Sequence, residues 1–192
     1  METDPSSLPA HYEKHLGEIA RGWSDEDRMH GVQVVCFESQ PEPGVRSYAT
    51  LGLSEHVVDL PGARKVRQEL LMSANDDVEP AAIAGLMLSI AEHVLRGGKA
   101  LLRGDVLGPA TPVVPGASTT AIYVTNPSPF DESLTHFESP SPPTVFAYLV
   151  PITGTEAALV VGRGWKWFEG QLEEQNPDIW NPARKEVIDV LS

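Results

Sequence analysis

The chain has 192 residues, which is enough for one sizeable hydrophobic core and short for two. Its 41% hydrophobic and 21% charged residues are typical of a folded globular protein and exclude a disordered chain. The formal net charge of −13 disfavours direct binding to nucleic acid or to anionic membranes, and it favours basic macromolecular partners.

Cysteine content and hydropathy indicate the cellular compartment of the protein. The single cysteine, Cys36, cannot form an internal disulfide or a thiolate cluster for zinc. No segment approaches the ~20 consecutive apolar residues of a membrane-spanning helix. The N-terminal region also lacks the apolar stretch of a secretory signal. We therefore expect a cytoplasmic protein.

The N-terminal part predicts a short tail and then a helix. Residues 1–7 are polar and show no periodicity, so we expect a flexible tail before a domain over residues 8–192. Apolar or semi-apolar side chains recur every three or four residues over 8–23, up to Trp23, which is the pattern of one amphipathic helix. The cluster Ser-Asp-Glu-Asp at 24–27 should end that helix in an exposed loop.

The next segments carry strand patterns. Residues 31–39 and 45–54 are rich in β-branched and aromatic side chains and are separated by a link with Pro and Gly, so they should pair as antiparallel strands. Gly52 predicts a bulge or a close backbone approach. A short extended piece over 56–60 and a further strand over 66–73 follow, although a helix over 66–73 also fits the sequence.

The clearest helical pattern lies in the middle of the chain. Pro80 suits a first helical turn, an apolar face recurs as far as Val94, and Gly97-Gly98 should end the helix. The candidate N-cap residues are the polar ones just before it, Asn75, Asp76 and Asp77. Residues 99–116 carry many Gly and Pro and predict an irregular excursion within the same domain.

The chain after residue 116 carries two more strand patterns, which are separated by a loop. Residues 119–125 predict a strand by residue type, and the Pro- and Ser-rich residues 126–143 predict a long surface loop. Residues 144–152 are continuously apolar, which is typical of a central strand that is buried on both faces.

Helical patterns occupy the C-terminal part. Thr153 and Glu156 have the spacing of a capping box, so a helix should start there. Glycines within 162–164 interrupt it, and a second helical face should end before Asn176. A last amphipathic segment is predicted over 182–191.

The order of these elements indicates the fold class. A helix, several strands, a helix, further strands and then helices do not alternate as in a strict βαβ fold. We therefore predict an α+β protein with a single domain, in which helices cover a mixed, mostly antiparallel sheet.

Residues that could carry chemistry are scattered along the chain. His11 and His15 are four positions apart on the predicted helix, as in metal-binding helices, but no third ligand lies near them, so we expect no metal site. Ser54 follows Gly52 as a hydrolase nucleophile would, but His56 stands where the strand-to-helix elbow needs a second glycine.

Other reactive or cofactor-binding patterns are also weak. Cys36 lies in an apolar strand, where desolvation should raise the pKa of its thiol and suppress its reactivity. The glycines at 162–164 follow a helix and lack the rest of a dinucleotide-binding loop. The acidic clusters have polar neighbours and should be solvated. We expect no catalytic residue and no cofactor.

Five segments form a recognisable series. The specific ones read Tyr-Ala-Thr-Leu-Gly-Leu-Ser at 48–54 and Phe-Ala-Tyr-Leu-Val-Pro-Ile-Thr at 146–153, followed by Glu156. The weaker ones are Arg-Gln-Glu-Leu-Leu at 67–71, Gly-Asp-Val-Leu at 104–107 and the helix over 168–172. In this order the chain resembles the suppressor of fused domain family across most of residues 8–190. The resemblance implies a single mixed α/β domain that binds a protein and performs no catalysis.

The resemblance also bears on the kind of partner. The animal protein that names the family sequesters a transcription factor with a second domain, for which 192 residues leave no room. Short bacterial members look like immunity proteins, which block toxins by direct binding. The net charge of −13 would steer this chain to the basic cleft of a toxin that cleaves nucleic acid. We therefore predict an immunity protein that occludes a basic toxin domain.

Two alternatives remain open. The first is a regulatory interaction module that sequesters an endogenous partner protein. The second and weaker one is a small hydrolase that uses Ser54, His56 or His136.

Aromatic residues within acidic stretches are the candidate partner-binding residues. Trp and Tyr anchors inside a polar rim carry most of the free energy of protein interfaces. Two stretches offer this combination. The candidates are Glu173, Glu174, Asp178 and Trp180 in one stretch and Phe130, Asp131 and Glu132 in the other.

Overall fold

The described strands form one sheet in the computed structural model, which describes residue 4 and residues 6–24 and 31–187. The strands are β1 (Arg21–Ser24), β2 (Gln33–Phe37), β3 (Val45–Leu51), β4 (Val57–Leu60), β5 (Arg64–Asn75), β6 (Val106–Leu107), β7 (Ala121–Thr125) and β8 (Thr144–Ile152). The helices are α1 (Leu8–Leu16), α2 (Pro80–Gly97), α3 (Gly154–Arg163) and α4 (Trp165–Gln175). Two 3-10 turns lie at Leu53–Glu55 and Glu132–Thr135.

The sheet is mixed and mostly antiparallel. Its order is β1-β2-β3-β5-β8-β7-β6, and β4 pairs with the first half of β5. Only β5 and β8 run parallel among the described pairs, with Leu70 opposite Ala147. The chain passes through α2, β6 and β7 between these two strands. The predicted α+β single domain is therefore confirmed.

Helices cover both faces of the sheet, and each face has its own core. Along β5, Leu70 and Met72 pack in the core that includes α2, whereas Leu71 packs in the core of α1, α3 and α4. β8 alternates in the same way, with Leu149 on the α2 side and Tyr148 on the other. The prediction of a central strand buried on both faces is thus confirmed.

The first predicted helix is too long. Ser7 caps α1 with its side chain, but the helix ends at Leu16, and Gly17 follows with a φ of 84°. Trp23 lies in β1 opposite Val34, and it belongs to the core on the α2 side. The apolar spacing continues past Leu16 because the half-buried Trp23 of the edge strand β1 matches the helical period by coincidence. The predicted loop over 25–27 lies outside the described residues.

The capping residue of α2 also differs from the prediction. The N-cap is Glu79, whose side chain accepts from the Ala81 amide, and not one of Asn75 to Asp77. β5 extends to Asn75, so the aspartates form the turn between strand and helix. The predicted end of the helix is confirmed, with Gly98 as the C-cap.

The predicted capping box is confirmed at the start of α3. The Thr153 hydroxyl accepts from the Glu156 amide, and the Glu156 carboxylate accepts from the Thr153 amide. Gly164 separates α3 from α4, as the glycine break predicts. Among the helices described, none is both long and apolar enough to cross a membrane.

The last predicted amphipathic segment is not helical where the structure describes it. Residues 182–187 form an irregular stretch, and residues 188–191 lie outside the described part. The carbonyl of Pro182 accepts from the amide and hydroxyl of Thr119. Arg184 and Val187 are buried. Tertiary hydrogen bonds therefore hold this irregular stretch against the rest of the domain.

Candidate functional site

A cleft of about 1050 Å³ opens on the sheet face that carries α1, α3 and α4. Its floor consists of Tyr123 and Thr125 from β7 and Tyr148 and Val150 from β8. One wall is α4 with the stretch after it. The opposite wall combines the β2–β3 connection and the turn between β5 and α2. The cleft is therefore built from segments that are far apart in sequence.

Carboxylates dominate the charge of the cleft. The six that line it are Glu42, Asp76, Asp77, Glu169, Glu173 and Asp178. Among the described lining residues, Arg103 is the single Lys or Arg. The cleft is thus a concentrated part of the net negative charge and attracts cationic groups.

One end of the cleft is organised around Glu169. Its Oε1 accepts from the hydroxyls of Tyr123 and Thr125, both at 2.7 Å, and from Arg103 Nε at 3.0 Å. Its Oε2 accepts from Arg103 Nη2. Burial alone would raise the pKa of Glu169, but the hydrogen bonds from Arg103, Thr125 and Tyr123 outweigh it and lower the pKa. Glu169 is therefore an ionised, fixed acceptor.

Trp180 forms part of the other end. Its indole Nε1 donates to the Tyr148 hydroxyl at 3.1 Å, and its carbonyl accepts from the Asn75 amide at 3.0 Å. The Asn75 side chain donates to Asp178 Oδ2 at 2.8 Å. Burial raises the pKa of Tyr148 to about 12, so this phenol stays protonated. These bonds join the stretch after α4 to the end of β5.

A buried ion pair anchors the continuation of that stretch. Arg184 Nη1 and Nη2 donate to the two oxygens of Glu156, at 2.7 and 2.9 Å. The amide of Val187 donates to Glu156 Oε1 at 2.8 Å. Both charged side chains are nearly inaccessible. The wall of the cleft is therefore held at both ends.

The structure brings three of the predicted partner-binding residues to the cleft. Glu173, Asp178 and Trp180 line it. Glu174 is exposed on α4, does not line the cleft, and accepts a hydrogen bond from Gln171 at 3.2 Å. The acidic and aromatic composition of this stretch was the signal that pointed to it.

The second predicted stretch lies beside the cleft and does not line it. The ring of Phe130 packs edge-on against Tyr148, with centroids 5.9 Å apart. Asp131 caps the second 3-10 turn by accepting from Ser133, and Glu132 lies in that turn. Phe130 thus packs against one residue of the cleft floor.

Sequence reasoning did not predict several lining residues. The sequence predicts Asp76 and Asp77 as N-cap candidates only, and Glu42 lies in the β2–β3 connection. Arg103 and Glu169 are 66 residues apart. No local pattern marks such residues, because only the strand order brings their segments to one place.

The two histidines of α1 contact the second 3-10 turn. His11 Nε2 lies 2.7 Å from the Leu134 carbonyl oxygen, and His15 Nδ1 lies 3.2 Å from Ser133 Oγ. Within the described part of the chain, no group of three His, Cys, Asp or Glu side chains is arranged to hold a metal ion. These imidazoles dock the turn onto the helix.

Ser54 lies in a buried clamp formed with β5. Its amide donates to Glu69 Oε1 at 2.9 Å, and its carbonyl accepts from Arg67 Nη1 at 2.8 Å. Glu69 also accepts from the Gly52 amide and the Thr50 hydroxyl. Burial raises the pKa of Glu69 to about 7, although these hydrogen bonds partly oppose the shift. The carboxylate and the guanidinium thus hold opposite ends of the first 3-10 turn.

Two further predictions concern buried groups. Gly52 has a φ of 100°, and a Cβ there would lie 2.9 Å from the Gly31 carbonyl oxygen, so the predicted close backbone approach is confirmed. Cys36 is fully buried, and burial raises the pKa of its thiol to about 11. Its thiolate is therefore scarce at neutral pH.

Known proteins resemble this chain in sequence pattern and in fold. The family described as Suppressor of fused protein (SUFU) matches residues 27–185. A SUFU homolog from Neisseria gonorrhoeae FA 1090 superposes with a TM-score of 0.76 at 17% identity, over 94% of each chain. The structure of the Sufu–Fu complex matches with a TM-score of 0.71 at 15% identity, over 94% of this chain and 88% of that one.

A third structure, of Drosophila Suppressor of Fused, matches with a TM-score of 0.61 at 17% identity. It covers 81% of this chain, which spans 42% of the Drosophila chain. No curated protein sequence matches this one. The structural likeness defines the fold, and the sequence match extends over most of the domain. The chain therefore belongs to the suppressor of fused (SUFU) protein family.

Proposed function

We propose that this protein is an immunity protein, which binds a basic toxin domain and occludes its active site without performing a reaction. The single observation that carries the proposal is the cleft, where six carboxylates line the walls and one guanidinium opposes them. A toxin that cleaves nucleic acid needs a basic surface for phosphate. The acidic cleft and a basic surface of that kind are complementary in charge.

The size and composition of the cleft support binding to a protein. A standard interface buries roughly 1,600 Å² in total, and aromatic anchors inside a polar rim supply most of its free energy. Half-buried Trp180 offers apolar surface within the cleft, and exposed Asp77 and Glu173 form a charged rim. We place the interaction in the cytoplasm, because a toxin that acts on nucleic acid must be neutralised there.

The test uses a toxin domain encoded beside the gene. Cells that express this domain should survive when they also express the protein, and the two should co-purify. The association rate should fall as salt is raised to 0.15 M, where the screening length is ~8 Å. Rescue without physical association, or an association rate that does not depend on salt, would contradict the proposal.

A matched pair of variants locates the contact. D77N/E173Q removes two charges from the cleft, and E55Q/D59N removes two exposed charges beside β4, outside the cleft. We expect the cleft variant to slow association roughly threefold to tenfold. The control variant should have a smaller effect. Equal effects of the two variants would place the contact elsewhere.

A regulatory module that sequesters an endogenous partner is the second candidate. The structure of the Sufu–Fu complex favours it, since that relative is seen with a protein partner. Co-purification of an internal regulator, in cells without a neighbouring toxin gene, would replace the first candidate by this one. The hydrolase alternative predicts that S54A, H56A or H136A abolishes the biological effect, and we expect that none of them does.

A further inference from the structure

Arg103 and Glu169 form an ion pair inside the cleft, and its geometry identifies a binding group. Arg103 Nε and Nη2 donate to the two oxygens of Glu169. The guanidinium carbon also lies 4.4 Å from the ring centroid of Trp165. A planar guanidinium is thus held between a bidentate carboxylate and an indole face, which are two favourable contacts for arginine.

The structure fixes Glu169 more firmly than Arg103. Glu169 is fixed from the floor by the hydroxyls of Tyr123 and Thr125, and only 16% of its side chain is exposed. Arg103 is 42% exposed, and its guanidinium is held by hydrogen bonds to Glu169 and by the ring of Trp165. The carboxylate therefore keeps its position if the guanidinium leaves. Exposed ion pairs of this kind contribute little stability.

We propose that this end of the cleft is a guanidinium-binding subsite, which Arg103 fills in the free protein and an arginine side chain of the partner fills in the complex. The inference rests on the proposed function, because it names the chemical group by which the cleft selects a basic partner. An arginine matches the two oxygens of Glu169 with parallel N–H donors, whereas a lysine offers only a point charge.

The remaining carboxylates extend the same preference along the cleft. Glu173 lies one helical turn after Glu169 on α4, and Asp76 and Asp77 stand on the opposite wall. Basic residues that flank the inserted arginine would meet these solvent-exposed acids. The favoured occupant is therefore an arginine-containing segment of a protein with further positive charges beside it.

If Arg103 occupies the subsite, it competes with an arginine of the partner for Glu169. R103A empties the subsite, so it should bind an arginine probe more tightly than the wild type does. R96A is the matched control, because it removes the same charge from an exposed arginine on α2. We expect about two- to fivefold tighter binding for R103A, the range that the loss of an exposed ion pair implies. R96A should have almost no effect.

The probe is a fluorescein-labelled Gly/Ser peptide with two arginines, and its control carries citrulline at both positions. Citrulline keeps the shape of arginine and lacks its charge. Anisotropy titrations at low salt should show binding of the arginine peptide and none of the citrulline peptide. E169Q should reduce the affinity for the arginine peptide at least tenfold, since a neutral amide cannot form the bidentate ion pair.

Three results would overturn the inference: R103A binding no more tightly than R96A, E169Q binding as the wild type does, or no binding of the arginine peptide by either the wild type or R103A. Thermal unfolding checks that E169Q is folded, and if it is not, the R103A and R96A pair decides alone. Rescue of toxin-expressing cells is scored separately. A protein that rescues cells while R103A binds no more tightly keeps the proposed function and loses the subsite.

Discussion

The acidic residues of this domain fall into two groups that differ in solvent exposure. Glu69 and Glu156 are buried, whereas most of the acids that line the cleft are exposed. Both oxygens of Glu156 accept two donors each, from Arg184, Val187 and Thr153. Glu69 accepts from two backbone amides and one hydroxyl. By contrast, Asp77 and Glu173 are exposed and line the cleft.

This contrast separates stability from binding. A buried carboxylate must be fully satisfied, because desolvation is expensive, and it then connects distant segments. An exposed carboxylate contributes little to the fold and remains available for a cationic partner. Both buried acids lie in the segments that carry the family resemblance, 67–71 and the Glu156 motif, whereas Asp77 and Glu173 lie outside those segments. Glu169, which lies at one end of the cleft, also belongs to the resemblance, in the 168–172 segment. The family pattern therefore covers the buried acids and one end of the cleft, but not the exposed acids Asp77 and Glu173.

The largest expected effect is the loss of the buried ion pair. R184M leaves the Glu156 carboxylate buried without a cation, and we expect a decrease of about 3–5 kcal/mol in the free energy of unfolding. Urea denaturation measures it. R96A, which breaks an exposed pair with Glu92, should change stability by less than about 0.5 kcal/mol. Similar values for the two variants would remove the distinction between buried and exposed acids.

The effect of Glu69 on stability can be measured from the pH dependence of the unfolding free energy. Its pKa is raised from its usual value of 4.5 to about 7 in the folded protein, so the folded state binds more protons between these values. The stabilisation of the folded state by protonated Glu69 is therefore fully present below pH 4.5 and is lost as the pH rises through 7. Between pH 4.5 and 8, the unfolding free energy of the wild type should fall by up to about 3 kcal/mol relative to E69Q. Parallel pH profiles for the two proteins would contradict this.

The backbone of the clamp gives an intermediate effect. G52A places a Cβ at a φ of 100° and 2.9 Å from the Gly31 carbonyl oxygen, so strain and a backbone clash add. We expect a destabilisation of about 2–3 kcal/mol in urea denaturation. G62A is the control, since Gly62 has a φ of 78° with open space around it, and it should lose about 1 kcal/mol. Equal losses of stability in G52A and G62A would mean that the contact between residue 52 and the Gly31 carbonyl causes no clash.

The smallest effect on stability is expected in the cleft. D77N/E173Q removes two exposed charges and should leave the free energy of unfolding within about 0.5 kcal/mol of the wild type. Under the proposed function, the same variant should slow association with a basic toxin domain. A large loss of stability would show that these acids support the fold, and the comparison between the two groups of carboxylates would fail.

Local patterns predicted much of the fold. The apolar run of β8, the capping box at Thr153 and Glu156, and the Pro80 start and glycine end of α2 are all found in the structure. Each depends on neighbouring residues only. The prediction failed at Trp23, where a helical spacing continued by coincidence into an edge strand.

The candidate site was predictable in part. The stretch that contains Glu173, Asp178 and Trp180 was identified from its mixture of acids and an aromatic residue, and all three line the cleft. Arg103 and Glu169 had no such signal, because a charged residue on a helix or loop is usually a solvated one. Their pairing depends on how α4 and the loop before β6 are placed.

The sequence by itself determined the α+β class, most strand positions and the excess of negative charge, because composition and short-range periodicity carry that information. Only the tertiary structure decided which acids are buried and which gather around a cleft. Asn75 and Asp178, for example, are 103 residues apart and share a hydrogen bond. Such contacts follow from strand order and register, which bring remote segments together and which no local pattern specifies.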